Sequence, residues 1–204
     1  MRGNGSFERE KGAIFAIASR ISDFLLVPET TLILNTPAIQ RALARIAHEI
    51  VERNEVSSEI ALVGIQRGGV PMAQRLSMLL SGIWGHPVPT GALDVSMHRD
   101  DLDRRVAPNV QPTLLPFDVN GKTVVLADDV LFSGRTIRAA MDALNDFGRP
   151  KCIELAVLVD RGHRELPIKA DFVGKNLPTA LNESVHVRLS QAGGVDEVVL
   201  QRKD

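Results

Sequence analysis

Only one cysteine, Cys152, occurs in the 204 residues, which excludes an intramolecular disulfide and a cysteine-rich zinc site. Five histidines, His48, His86, His98, His163 and His186, are scattered with no pair at metal-ligand spacing. Neither sign of charge prevails: 24 Lys and Arg stand against 25 Asp and Glu, a formal net charge of −1. Any nucleic-acid contact must therefore come from a local patch rather than from an overall field. No apolar run approaches the roughly eighteen residues of a membrane span. The stretch to check is "GAIFAIASRISDFLLV" (12–27), but Arg20 and Asp23 interrupt it and no small-x-small cleavage site follows. It reads as part of an N-terminal extension, residues 1–30, rather than as an export signal. A cytoplasmic protein without a membrane partner is expected.

What is present is an ordinary globular balance, 44% hydrophobic and 24% charged, over a length that suits one domain with or without an appendage. "NTPAIQRALARIAHEIVERN" predicts a helix with Thr36 as N-cap and Pro37 at its first position. Ile39, Leu43, Ile46 and Ile50 recur at helical spacing and face inward, whereas Arg41, Arg45, His48 and Glu52 fall on the opposite side. "IALVGI" (60–65) reads as a strand buried on both faces. After "QRGG", "VPMAQRLSMLLSG" reads as a helix stopped by Gly82. Residues 88–97 read as the next strand and 98–120, rich in charge and proline, as a long loop. "KTVVLADDV" is the expected central strand, followed by a helix over 136–147 and the strand "CIELAVLVD" (152–160), with shorter strand-like pieces "VHVRL" and "EVVLQ" beyond. Strands alternating with helices predict an α/β fold whose parallel sheet is covered on both faces. Ligands of such sheets bind beyond the carboxyl ends of the strands, where the winding reverses.

At one of those ends two carboxylates, Asp128 and Asp129, interrupt the run Val124, Val125, Leu126, Ala127. Neighbouring like charges are costly unless donors or a cation compensate them. The 2′- and 3′-hydroxyls of a ribose are a matching pair of donors, and a nearby Mg²⁺ would relieve the charge. Capping or salt-bridging explains the pair about as well when it is taken alone. The residues that follow shift the balance. After Val130, Leu131 and Phe132 come Ser133, Gly134, Arg135 and Thr136, where a strand exit becomes a helix start. Backbone N–H groups and the helix dipole there favour an anion, and Ser133 and Thr136 add hydroxyl donors. A sugar phosphate satisfies both halves. Two decoys fail: "GKT" (121–123) has Pro116 where a phosphate-binding P-loop needs its first glycine. "HRDDL" (98–102) stands without the other elements of a kinase.

The stretch 124–136 resembles the PRPP-binding motif of type I phosphoribosyltransferases. "ALARIAHEIVERN", "LVGIQRGGVPMAQRL", "GALDVSMHRDDL", "DDVLFSGRTIRAAMDALNDFGRP", "LAVLVDRGHRELPIKADFVGKN" and "ESVHVRL" are similar to the bifunctional pyrimidine-operon attenuation regulators with uracil phosphoribosyltransferase activity, over about residues 35–201. The resemblance implies a type I phosphoribosyltransferase fold over residues 31–204, with a small hood and a flexible loop. It implies conversion of uracil and PRPP, with Mg²⁺, to UMP and pyrophosphate. It also implies UMP-dependent binding of a stem-loop in pyrimidine-operon leader mRNA, and a homodimer or homotetramer.

By the same resemblance Asp128, Asp129 and Arg67 are catalytic and residues 124–136 bind PRPP and UMP. Arg67 and Gly68 form the pyrophosphate loop, and Arg99, Arg104 and Arg105 belong to the flexible loop. Asp160 and Arg161 flank the uracil; His48, Arg53, Arg164, Lys169 and Lys175 contact RNA. No side chain is implied as a direct metal ligand. The chain departs from the family pattern at Ala44, Gln66 and His98, where threonine, threonine and tyrosine are usual, and at Phe132 and Ser133. Ala44 removes a hydroxyl from the RNA-contacting helix, whereas Ser133 keeps one in the phosphate turn.

Overall fold

A computed structural model of the chain describes residues 30–99, 110–190 and 194–202. In chain order the elements are β1 (Thr30–Asn35), α1 (Thr36–Arg53), β2 (Ile60–Ile65), α2 (Gly69–Trp84), β3 (Thr90–Leu93), β4 (Thr123–Leu131), α3 (Arg135–Asn145), β5 (Cys152–Asp160), β6 (Phe172–Asn176), β7 (Glu183–Arg188) and β8 (Glu197–Arg202). Five strands form one sheet in the order β3-β2-β4-β5-β6, every pairing parallel. The architecture is that of a type I phosphoribosyltransferase, as the sequence implied. The central position of β4 follows from its composition. Residues Thr123 to Asp128 are all buried, and alternate residues feed opposite faces of the sheet. Val125 and Ala127 pack with Ile39, Ile46, Met72 and Leu76 of α1 and α2. Val124 and Leu126 pack with Ile137, Ala140 and Leu144 of α3.

β2 and β4 lie side by side, yet the chain leaves β2 for β3 on one side and reaches β5 on the other. That reversal opens a crevice at their carboxyl ends. Over it stands a second, three-stranded antiparallel sheet in the order β1-β8-β7, built from both ends of the described chain. This is the hood. The Arg75 guanidinium grips it bidentately, at 2.5 and 2.9 Å from the Asp196 carboxylate, and also donates to the Ser190 carbonyl. Thr36 Oγ1 closes the join by exchanging hydrogen bonds with the Asp196 backbone.

Several boundaries differ from expectation. The N-cap of α1 is Asn35, whose side chain accepts from the Ala38 N–H; Thr36 is drawn into the helix because its hydroxyl serves Asp196. Gly82 lies inside α2, which runs on to Gly85, whose φ of 75° supplies the left-handed cap. The strand expected over 88–97 is shorter, Thr90–Leu93. Strands β1 and β6 were not foreseen.

Candidate functional site

The two loops at the crevice meet through glycine. A Cβ on Gly69 would collide with the Ala127 carbonyl, and one on Gly68 with the Asp129 carboxylate. "RGG" therefore lets the β2–α2 turn lie directly against the acidic end of β4. The Gln66–Arg67 peptide in that turn is cis. Arg67 is exposed, and with Gly68 and Asp129 it lines a cleft of about 570 Å³ whose far wall is Arg188, Ser190 and Gly194 at the hood. A neighbouring cleft of about 530 Å³ is lined by Asp129 together with Thr30, His186 and Gln201 of the hood. Asp129 is common to both.

The acidic pair lies within β4, near its carboxyl end, not beyond it. Asp128 is 7% exposed, and its Oδ1 accepts the Asp129 N–H at 3.0 Å. Burial pushes the Asp128 carboxyl well above the usual carboxylate range, and the charge of Asp129 adds to the rise. Burial also raises Asp129, against the hydrogen bonds its carboxylate accepts. Among the described residues no cluster of three or more His, Cys, Asp or Glu side chains could cage a metal. Of the pair only Asp129 lines the clefts, and a lone carboxylate at a cleft wall fits an ion that brings phosphate oxygens and water as its other ligands, the usual habit of Mg²⁺.

Beyond the pair, the turn forms as its sequence requires. Gly134 has φ 93°, a value that only glycine adopts freely, and it precedes α3. The Arg138 N–H donates to the Gly134 carbonyl as the first intrahelical bond, so the N–H groups of residues 135–137 precede the helical ladder. Ser133 Oγ accepts the Arg135 N–H at 3.4 Å, and the Arg135 side chain pairs outward with Glu165 at 2.7 Å. The back of the turn is held by a second loop: Glu165 and Leu166 N–H groups both donate to the Ser133 carbonyl.

Arg99 Nη1 donates to Thr136 Oγ1 at 3.0 Å, which sets it on the phosphate turn. Its neighbour His98 approaches the Asp146 carboxylate at 3.0 Å. Arg104 and Arg105 lie outside the described residues. Asp160 ends β5 and Arg161 follows it, and both line a separate cleft of about 340 Å³ with His163, Asn176 and Thr179. Arg161 is 7% exposed and spends its guanidinium on Thr179 Oγ1 and on the Ala180 and Glu183 carbonyls, with the Phe132 ring 4.3 Å away. Its burial lowers its pKa from the ordinary arginine value.

Of the residues assigned to RNA, His48, Lys169 and Lys175 are exposed. Arg53 is half exposed and bridges Glu154 and Asp171, each at 2.8 Å. Arg164 is unlike them. Its guanidinium donates to the carbonyls of Phe132, Gly162 and Ile168 and to Asp160, which makes it a brace between the phosphate turn and the loop after β5. Sequence reasoning missed that brace, the Arg75–Asp196 clamp and His163, a non-glycine residue at φ 58°. Partners up to 121 residues apart leave no local pattern to read.

The phosphoribosyl transferase domain model matches residues 29–190. Proteins called bifunctional protein PyrR are similar along most of their length. That of Chloroflexus aurantiacus is 58% identical over 171 residues, 83% of this chain and 94% of that protein. That of Thermus aquaticus is 54% identical over 173 residues, covering 84% and 96%. Among solved structures, a hypoxanthine-guanine phosphoribosyltransferase from Bacillus anthracis superposes with a TM-score of 0.59 at 19% identity, over 72% of this chain and 84% of that one. That likeness concerns the fold alone. With half or more of the sequence shared over nearly the whole of its relatives, the chain belongs to the family of the bifunctional protein PyrR, among proteins with the phosphoribosyl transferase domain.

Proposed function

We propose that this protein transfers the phosphoribosyl group of PRPP to uracil, giving UMP and pyrophosphate. With UMP bound, it recognises a stem-loop in pyrimidine-operon leader mRNA and promotes transcription termination. The observation that carries the reading is the position of Asp129, the shared wall of two clefts, one beside the Arg67–Gly68 loop and one beneath the hood. A sugar phosphate whose ribose lies on Asp129 and whose pyrophosphate extends toward the Arg67–Gly68 loop needs that arrangement.

In this reading Asp128 and Asp129 hold the ribose hydroxyls and Ser133–Thr136 hold the 5′-phosphate. Arg67 and the Gly68 backbone receive the pyrophosphate, and Asp160 and Arg161 border the uracil side. Uracil N1 bonds to C1 of the ribose as the bond to pyrophosphate breaks, and the N1 proton departs. Positive charge develops on the sugar, and the carboxylates beneath it stabilise that charge in a site shielded from water. Mg²⁺ arriving with PRPP would neutralise pyrophosphate charge beside the acidic pair. For RNA, His48, Arg53, Lys169 and Lys175 supply contacts to phosphates and loop bases. Residues 31–204 form the working domain, residues 1–30 an extension, and the assembly is a cytoplasmic homodimer or homotetramer.

A second reading, a uracil phosphoribosyltransferase without RNA binding, is favoured by Ala44 and by the inward bonding of Arg164. Two assays separate the readings. UMP formation from uracil and PRPP tests the transferase, and its absence in the wild-type protein would refute it. Gel-shift titration of a leader stem-loop with and without UMP tests the regulator; binding indifferent to UMP leaves the enzyme alone.

A further inference from the structure

The acidic pair poses an electrostatic problem that its own strand does not solve, because Asp128 is buried beside Asp129 with no basic residue between 124 and 134. Part of the opposing charge comes from Arg99, near the start of the β3–β4 connection. Its Nη1 sits 3.0 Å from Thr136 Oγ1, and its positive charge favours the ionised form of Asp128. The guanidinium thus sits at the phosphate end of the crevice, with its contact made to the helix N-terminus and not to the acidic pair. The backbone just before it is pinned from another direction. His98 Nε2 lies 3.0 Å from Asp146, next to the C-terminus of α3, and the His98 N–H donates to the Val95 carbonyl. A fork with several N–H donors, held against a hydroxyl at a helix N-terminus, is the geometry that binds a phosphate monoester dianion.

We infer that Arg99 is a ligand of the 5′-phosphate of PRPP and UMP, working with Thr136, rather than a pyrophosphate-covering residue of the flexible loop. The assignment rests on the nucleotide site proposed above. It splits the basic residues of the site by ligand. Arg67 serves the diphosphate that leaves, while Arg99 serves the monophosphate that stays, so Arg99 contacts substrate and product alike.

The test measures equilibrium binding of UMP, uridine and inorganic pyrophosphate to wild type, Arg99→Ala, Arg99→Lys and Thr136→Val by calorimetry, with thermal melts as the control for folding. Loss of a charge-assisted bond to phosphate weakens UMP about tenfold to a hundredfold in Arg99→Ala. Uridine and pyrophosphate binding stay at the wild-type level, and lysine recovers part of the loss. Arg99→Ala combined with Thr136→Val costs less than the two separate losses added, because both groups serve one phosphate. The inference is overturned if Arg99→Ala weakens pyrophosphate and spares UMP, or weakens uridine as much as UMP. Failure of the wild-type protein to bind UMP at all would instead remove the nucleotide site on which the inference rests.

Discussion

At the scale of single residues, the crevice is a place where function opposes stability. Asp128 holds its proton to higher pH in the folded chain than in the unfolded one, because burial and the neighbouring carboxylate penalise its charge. Between the unfolded and folded pKa values the native state binds the extra proton, so stability declines as pH rises through that window and stays lower above it. Asp128→Asn keeps the oxygen that accepts the Asp129 N–H and removes the charge. The variant should melt several degrees higher than wild type at neutral pH, the gain vanishing at pH values below the unfolded carboxylate pKa, while nucleotide affinity falls. Melting curves across pH check the sign; a variant less stable than wild type at pH 7 would refute the argument. Asp129→Asn is a test of the chemistry. It borders both clefts, so UMP formation should drop by about two orders of magnitude or more, measured as initial rate with both substrates saturating.

At the scale of elements, the loop after β5 connects the phosphate turn to the face assigned to RNA. Ser133 accepts two N–H groups from that loop and Arg164 chelates carbonyls on both sides of the junction. The loop then continues to Lys169, Asp171 and β6, where Asp171 pairs with Arg53 of α1. Arg164→Ala is therefore expected to unfold about 2 kcal/mol or more too easily, from the bonds it abandons, and to weaken UMP and RNA together. Lys175→Ala, on the exposed edge strand, should weaken RNA alone. Parallel melting, UMP-binding and gel-shift measurements on the two variants distinguish a brace from a contact. The same elements mark the limit of what could be read in advance. The 124–136 segment was legible because strand, acidic pair and turn are contiguous, and α1 because its apolar period is unbroken. β6 was not: "FVGKN" is five residues with a glycine in the middle, too short to show a period. β1 was hidden because Asn35 ends the strand and caps the helix at once, leaving no turn between them. Arg164 reads as a surface cation among other cations, and its inward direction is a property of the folded loop alone.

At the scale of the whole molecule, the catalytic crevice exists only while the hood stays over the parallel sheet, and the two are joined by a charged hinge. Asp196 is 4% exposed, accepts both arms of the Arg75 fork, and also accepts the Ser190 N–H at 2.8 Å. Its hydrogen bond to Arg75 holds its carboxyl below the usual value, while the same bond raises Arg75. For a carboxylate whose folded pKa is depressed, the stabilisation is fully present above the unfolded pKa and is lost as pH falls through the folded one. The hood should therefore loosen on acidification before the central sheet does, since among the described residues the hood adds only Val198 to the buried cores whereas the sheet is packed on both faces by α1, α2 and α3. Asp196→Asn removes one charge of a mostly buried pair and should cost about 3 kcal/mol at neutral pH, the difference from wild type shrinking toward low pH. Hydrogen exchange read by segment makes the distinction: amides of β1, β7 and β8 should lose protection in the variant at pH 7 and in wild type under acid, with β4 and β5 still protected in both. Equal loss of protection in β4 would mean that hood and sheet open as one unit, and that the hinge has no separate thermodynamic existence.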